Sequence, residues 1–172
     1  MTCIVAVTHD GRVTMGGDSF AGGADYWYAV ATPKIFTVGD FLIGSCGSFR
    51  IADAARYSFS PPSPRRGETP DHYMRTRFLR AFNKCLDDAG VAAMDATLLI
   101  GFQGHIFHLQ PDKSVLSPPD WGVAIGAGEG PAMGSLWTTR EARQPETRVR
   151  TALEAAQAVS MQVREPFHVE VL

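Results

Sequence analysis

At 172 residues and 18.6 kDa the chain suffices for one domain with a sizeable core and is short for two, so residues 1–172 are expected to form a single domain. Apolar residues make up 45% and charged residues 20%, which excludes the disordered, collagen-like and coiled-coil classes. Sixteen Lys and Arg against eighteen Asp and Glu leave a net charge of −2, without the cationic field that binding to nucleic acid or an anionic membrane usually needs.

Residues 2–8 are β-branched and apolar, His9, Asp10 and Gly11 supply turn chemistry, and residues 12–17 resume an alternating pattern, which predicts an N-terminal hairpin. Residues 19–33 carry Gly, Ala and aromatics without a clear period. Two further apolar runs flank Gly39 and Asp40, a second strand–turn–strand signal ending at Cys46. Helical spacing of apolar residues follows from Gly47 until the Pro/Ser/Arg-rich loop of residues 60–70. A longer helix begins at Asp71, with Tyr73, Phe78, Leu79, Phe82 and Leu86 as its apolar stripe and Gly90 as its end.

Residues 96–102 and 105–110 around Gln103 and Gly104 predict a third hairpin, and residues 121–128 a buried strand. A short helix over 130–138, a helix over about 146–162 with Val149, Leu153, Ala156 and Val159 on one face, and a closing strand over 166–172 complete the chain. Runs of strands alternating with runs of helices give an α+β class and not a βαβ parallel sheet. A four-layer αββα sandwich, two antiparallel sheets flanked by helices, satisfies that order.

The three cysteines, Cys3, Cys46 and Cys85, are odd in number and form no Cys-x-x-Cys pair, which favours a reducing compartment and hence the cytoplasm. No basic start precedes an apolar run, and no stretch reaches the roughly 18 apolar residues of a membrane helix. Neither a membrane nor nucleic acid is expected as a partner. His105 and His108 are three apart on a strand and point to opposite faces, so no metal site is expected. Residues 126–130 lack the Lys-Ser/Thr of a phosphate loop, and no cofactor is expected. Cys46 has no histidine signal beside it and reads as a small core residue.

Thr2 follows Met1, and trimming of the methionine would expose an N-terminal threonine. Such a residue holds a hydroxyl nucleophile and, two bonds away, an amine whose pKa of roughly 7.7–8.0 suits a general base. A tight turn at residues 9–11 would bring Asp18 beside Thr2. A carboxylate at that apolar strand end needs a cationic partner. Lysines number only three against thirteen arginines, and Lys34 opens the next strand. A lysine near Thr2 would favour the alkoxide and lower the pKa of the amine by like-charge repulsion, with the aspartate fixing its position.

Thr2–Cys3–Ile4–Val5, Gly17–Asp18–Ser19, Lys34–Ile35 and Gly44–Ser45–Cys46–Gly47 resemble, in order and spacing, the proteasome β-type subunits, most of all the bacterial HslV-like protease subunits. The resemblance extends over almost the whole chain, through residues 124–128 and Ala152–Leu153. It implies an N-terminal-nucleophile hydrolase: an αββα fold, Thr2 as nucleophile, Asp18 and Lys34 as its partners, and the Gly47 N–H as oxyanion donor. Ala21, Thr32, Ser45 and Phe49 would lie around the side-chain pocket, and Gly22 would offer backbone hydrogen bonds to an extended substrate. It further implies stacked homo-oligomeric rings, unfolded polypeptide or peptide substrates and an ATP-dependent unfoldase as partner. Two places depart from the pattern. Ala127, between Gly126 and Gly128, stands where the family has a serine bonded to the nucleophile's amine, and Ser160 is the candidate where many members carry Asp-x-x-Ser. The expected activity is therefore a threonine-type endopeptidase, with two rivals: a catalytically weak or silent ring-forming scaffold subunit, and an amidase of the same chemistry acting on a small molecule.

Overall fold

The computed structural model describes residues 2–23 and 25–172. Met1, whose removal the N-terminal threonine requires, lies outside the described residues. Strands β1 (Cys3–His9) and β2 (Arg12–Gly17) form the expected hairpin. Its turn is Asp10 and Gly11, both at positive φ, a two-residue connection whose twist suits antiparallel strands. Ile4 faces Gly17 and His9 faces Arg12, a register one residue away from the one expected, so Asp18 comes across from Cys3 and not from Thr2.

Residues 19–33, without a readable period, hold two three-residue strands, β3 (Phe20–Gly22) and β4 (Trp27–Ala29), paired with each other. Strands β5 (Ile35–Val38) and β6 (Phe41–Gly47) form the second expected hairpin. Helix α1 (Phe49–Tyr57) follows. The long predicted helix is a rod of α2 (Pro70–Tyr73), a π-helical turn (Met74–Phe78) and α3 (Leu79–Asp88), opened by the Thr69 hydroxyl accepting from the His72 N–H. Strands β7 (Ala96–Phe102), β8 (His105–Leu109), β9 (Val115–Leu116) and β10 (Val123–Gly126) lead to α4 (Glu129–Thr138), α5 (Pro145–Val159) and β11 (His168–Val171).

Two larger antiparallel sheets result, ordered β10-β1-β2-β11 and β5-β6-β7-β8-β9. Three apolar clusters explain why so many strands read as unbroken apolar runs. On β1, Cys3, Val5 and Val7 meet Leu136 of α4 and Val149 and Leu153 of α5, while Ile4 and Ala6 meet Leu42, Leu99 and Ile106 of the other sheet. On β7, Leu98, Ile100 and Phe102 pack with Ile51 of α1 and Phe78 and Phe82 of the long rod, while Leu99 turns to the first sheet. Both faces of these strands are covered, so a period of two is hidden.

Helix α5 ends earlier than expected, with Ser160 as its cap, and Val159, expected on the buried face, is exposed. The chain leaves the helix there because the following residues have other partners: Val163 enters the cluster under α5, and Arg164 turns to Asp18.

The densest packing is aromatic. The Phe41 ring lies 4.3 Å from that of Phe102 and 5.1 Å from that of Phe78, and Phe59 meets Phe78 edge-on at 5.0 Å. Phe78→Ala should therefore lower unfolding stability by about 3–5 kcal/mol in a urea titration; a loss below about 1 kcal/mol would contradict this packing.

Candidate active site

Thr2 is the residue before β1, Asp18 the residue after β2, and Lys34 the residue before β5. The ends of three strands thus meet at one edge of the sheet pair, with exposures of 3%, 0% and 5%. Lys34 Nζ donates to Thr2 Oγ1 at 3.0 Å and to Asp18 Oδ1 at 2.8 Å. Asp18 is satisfied from all sides. Oδ1 also accepts the Cys3 N–H at 2.9 Å, and Oδ2 accepts the N–H groups of Phe20 at 3.0 Å and Arg164 at 3.3 Å. A buried carboxylate with three backbone donors and an ammonium is held in one orientation. Burial pulls the Lys34 ammonium below the ordinary lysine value, and the neighbouring Asp18 charge opposes this without cancelling it.

The backbone of Thr2 is also held. Gly128 donates its N–H to the Thr2 carbonyl at 3.4 Å. Gly126, at φ +98°, lies so close that a Cβ there would sit 2.3 Å from the Thr2 carbonyl oxygen, and at Gly47, φ +109°, a Cβ would meet the Asp95 carbonyl oxygen at 2.4 Å. Both positions accept only glycine, for close approach as well as for backbone conformation. Ala127 is exposed and has no side-chain donor or acceptor. The Ser160 hydroxyl is used locally, accepting the Gln162 N–H at 3.2 Å.

Burial raises the pKa of the Cys46 thiol. Cys3 is pushed up to about 12, by burial first and the Asp18 charge second. Neither is a ready thiolate. Among the described residues no group of His, Cys, Asp and Glu is placed to hold a metal ion, and His105 is exposed at the start of β8.

A cleft of about 450 Å³ opens beside Thr2, Lys34 and Gly47. Of the residues expected around a side-chain pocket, Thr32, Ser45 and Phe49 line it. Ala21 and Gly22 are not among its lining residues; they sit on β3, paired with Tyr28 and Trp27, and Tyr28 reaches the cleft. Tyr28, Asp53, Arg56 and Tyr57 were not singled out from sequence. For α1 the signal was available, since Phe49, Ala52, Asp53 and Arg56 recur at one-face helical spacing. For Phe20 and Arg164 there was none, because they act through backbone N–H groups.

No protein-family profile and no curated protein sequence matches the chain. Solved structures do match. BPH of Thiobacillus denitrificans, in complex with Epoxomicin, has a TM-score of 0.82 at 19% identity, with 99% of this chain and 98% of that one covered. HslV of Trypanosoma brucei gives 0.72 at 20% identity, covering 99% of each chain. Anbu (ancestral beta-subunit) of Yersinia bercovieri gives 0.69 at 14%, covering 99% of this chain and 81% of that one. The chain thus has, over nearly its whole length, the α+β fold of HslV-like, proteasome β-type subunits.

Removing Asp18 would strand a buried ammonium and three N–H donors. Asp18→Ala should cost about 3–5 kcal/mol of unfolding stability at pH 7 by chemical denaturation; a change below about 1 kcal/mol would show that the pair is not the buried one described.

Proposed function

We propose that the chain, as one N-terminal-nucleophile hydrolase domain over residues 1–172, is a threonine-type endopeptidase subunit. The observation that carries this reading is the buried contact of Lys34 Nζ with both Thr2 Oγ1 and Asp18 Oδ1 at the mouth of the cleft. With Met1 removed, the Thr2 amine takes the hydroxyl proton as Oγ1 attacks a peptide carbonyl. Lys34, held by Asp18, favours the forming alkoxide and lowers the proton affinity of the amine. The Gly47 N–H stabilises the oxyanion. The amine then returns its proton to the leaving nitrogen, an ester on Thr2 remains, and water activated by the same amine releases it. No cofactor enters.

The three apolar clusters support a four-layer αββα arrangement, with α4 and α5 outside one sheet and α1 to α3 outside the other. The likeness to HslV and Anbu supports assembly of identical subunits into stacked rings that hide the sites. In such a chamber the substrate is unfolded polypeptide or peptide, and an ATP-dependent unfoldase is the partner that feeds it. No helix among the described residues is long and apolar enough to cross a membrane, and we place the protein in the cytoplasm. Ala127 favours a second reading, a weak or silent ring-forming subunit. A missing hydrogen bond to the general base costs about 1–3 kcal/mol, which is roughly ten- to a hundredfold in rate.

Thr2→Ala should assemble as the unaltered protein does and lose all hydrolysis of fluorogenic peptides, and Lys34→Ala should also lose it. Retained turnover in Thr2→Ala would overturn the mechanism.

A further inference from the structure

Strand β6 turns alternate residues to its two faces. Phe41 and Ile43 enter the aromatic cluster and Ser45 lines the cleft, while Leu42, Gly44 and Cys46 face the other sheet. Gly44 sets how closely the sheets approach: a Cβ there would sit 2.5 Å from Ile4 Cγ2 of β1 and 2.8 Å from Met15 Sδ of β2. That approach carries Cys46, two residues on, to the strand end where Thr2 lies. The point above Gly126 at which a Cβ would meet the Thr2 carbonyl oxygen at 2.3 Å is also 2.9 Å from Cys46 Sγ. The sulfur thus stands beside the main chain of Thr2, over the space that a bare Gly126 leaves open.

The two places where the resemblance to the proteasome β-type subunits implies a supporting hydroxyl do not supply one to Thr2. Ala127 is exposed and ends at a methyl group, and the Ser160 hydroxyl accepts the Gln162 N–H. The Gly128 N–H reaches the Thr2 carbonyl at 3.4 Å, the long end of a hydrogen bond. Cys46 stands by the same carbonyl from the opposite sheet. Burial keeps its thiol protonated, so it adds no negative charge beside Lys34 and does not compete with the Thr2 hydroxyl for a carbonyl. A neutral, polarizable sulfur is well suited to filling an irregular gap.

We propose that Cys46 is a positioning residue for the hydrolysis: packed over Gly126, its sulfur fixes the main chain of Thr2, and with it the amine and the hydroxyl that must act together. This rests on the threonine-peptidase reading, in which the amine takes the hydroxyl proton. One residue carries both groups. A main chain free to shift therefore moves the amine from the Lys34 ammonium and the hydroxyl from the Gly47 N–H at once, and a misplacement of about 1 Å costs on the order of a hundredfold in rate.

The test compares Cys46→Ala, which empties the space, with Cys46→Ser, which keeps a polar atom in it. In Cys46→Ala, kcat for a fluorogenic peptide should fall by about ten- to a hundredfold while KM stays within about threefold, since the residues that line the cleft are untouched. The acid limb of its kcat/KM profile should move to higher pH, because an amine displaced from the Lys34 ammonium regains proton affinity. A mere loss of folded protein would lower the rate without moving that limb. Cys46→Ser, close to the cysteine in volume, should recover most of the rate. An unchanged kcat in Cys46→Ala, or a loss carried by KM alone, would overturn the proposal and leave the peptidase reading standing. Amide hydrogen exchange gives a readout without turnover. The Gly128 N–H, bonded to the Thr2 carbonyl, should exchange about tenfold faster in Cys46→Ala while the N–H groups of β8 keep their rates. Unchanged exchange at Gly128 would overturn the positioning role whatever the turnover. Faster exchange there, with no turnover by the unaltered protein, would overturn the peptidase reading alone.

Discussion

Two opposite charges taken wholly out of water set the terms for this structure. Lys34 and Asp18 are 5% and 0% exposed, and burying an ion costs several kcal/mol unless good geometry and further hydrogen bonds offset it. Here the offset is spread across the chain. The ammonium has Asp18 and Thr2, and the carboxylate has the ammonium and backbone donors at positions 3, 20 and 164. The start of β1, the end of β2, the approach to β5 and the tail after α5 must therefore all be in place together. The same contacts that make the pair tolerable leave an ammonium 3.0 Å from a threonine hydroxyl. Stability and chemistry share one set of atoms.

The surrounding architecture keeps those strand ends in register. The two-residue turn at Asp10 and Gly11 sets which residue of β2 faces Cys3. Sheet pairing through Ile4, Met15, Ile35 and Leu42 then brings β5 and β6 against β1 and β2. Behind Thr2, the near-contact of Gly126 and the Gly128 N–H restrain its carbonyl. Beside it, α1 starts immediately after Gly47, so one helix face forms a cleft wall. A buried threonine hydroxyl beside an ammonium at the edge of an aromatic cleft follows from strand geometry.

Much of this is legible in the sequence. The Asp10–Gly11, Gly39–Asp40 and Gln103–Gly104 turns betray three hairpins, because turn chemistry is local. The apolar stripe from Tyr73 to Leu86 betrays the long rod, although its π-helical turn has no sequence mark. Asp18 and Lys34 stand out because a carboxylate at an apolar strand end requires a cation and lysine is rare in this chain. What stays hidden is set by tertiary partners. The short pair β3 and β4 has no period of its own, and a partner far away in sequence covers it, the Arg164 guanidinium lying 6.0 Å from the centre of the Trp27 ring. The exact register needs the turn type and not merely its position. The early end of α5 depends on Val163 and Arg164 finding partners far away in sequence. Arg56 reads as an ordinary helix arginine until the Pro33 carbonyl and the Phe36 ring are seen to hold it.

The central claim is that Thr2, freed of Met1, acts with its own amine as a nucleophile activated beside Lys34. Intact mass of the purified protein before and after incubation with a peptide epoxyketone tests it most directly, because the ring adduct forms only where a threonine hydroxyl and a free amine sit on one residue. The account predicts a mass short by one methionine and then a single stoichiometric adduct, abolished in Thr2→Ala. A retained methionine, or a trimmed protein that stays unlabelled, would contradict it.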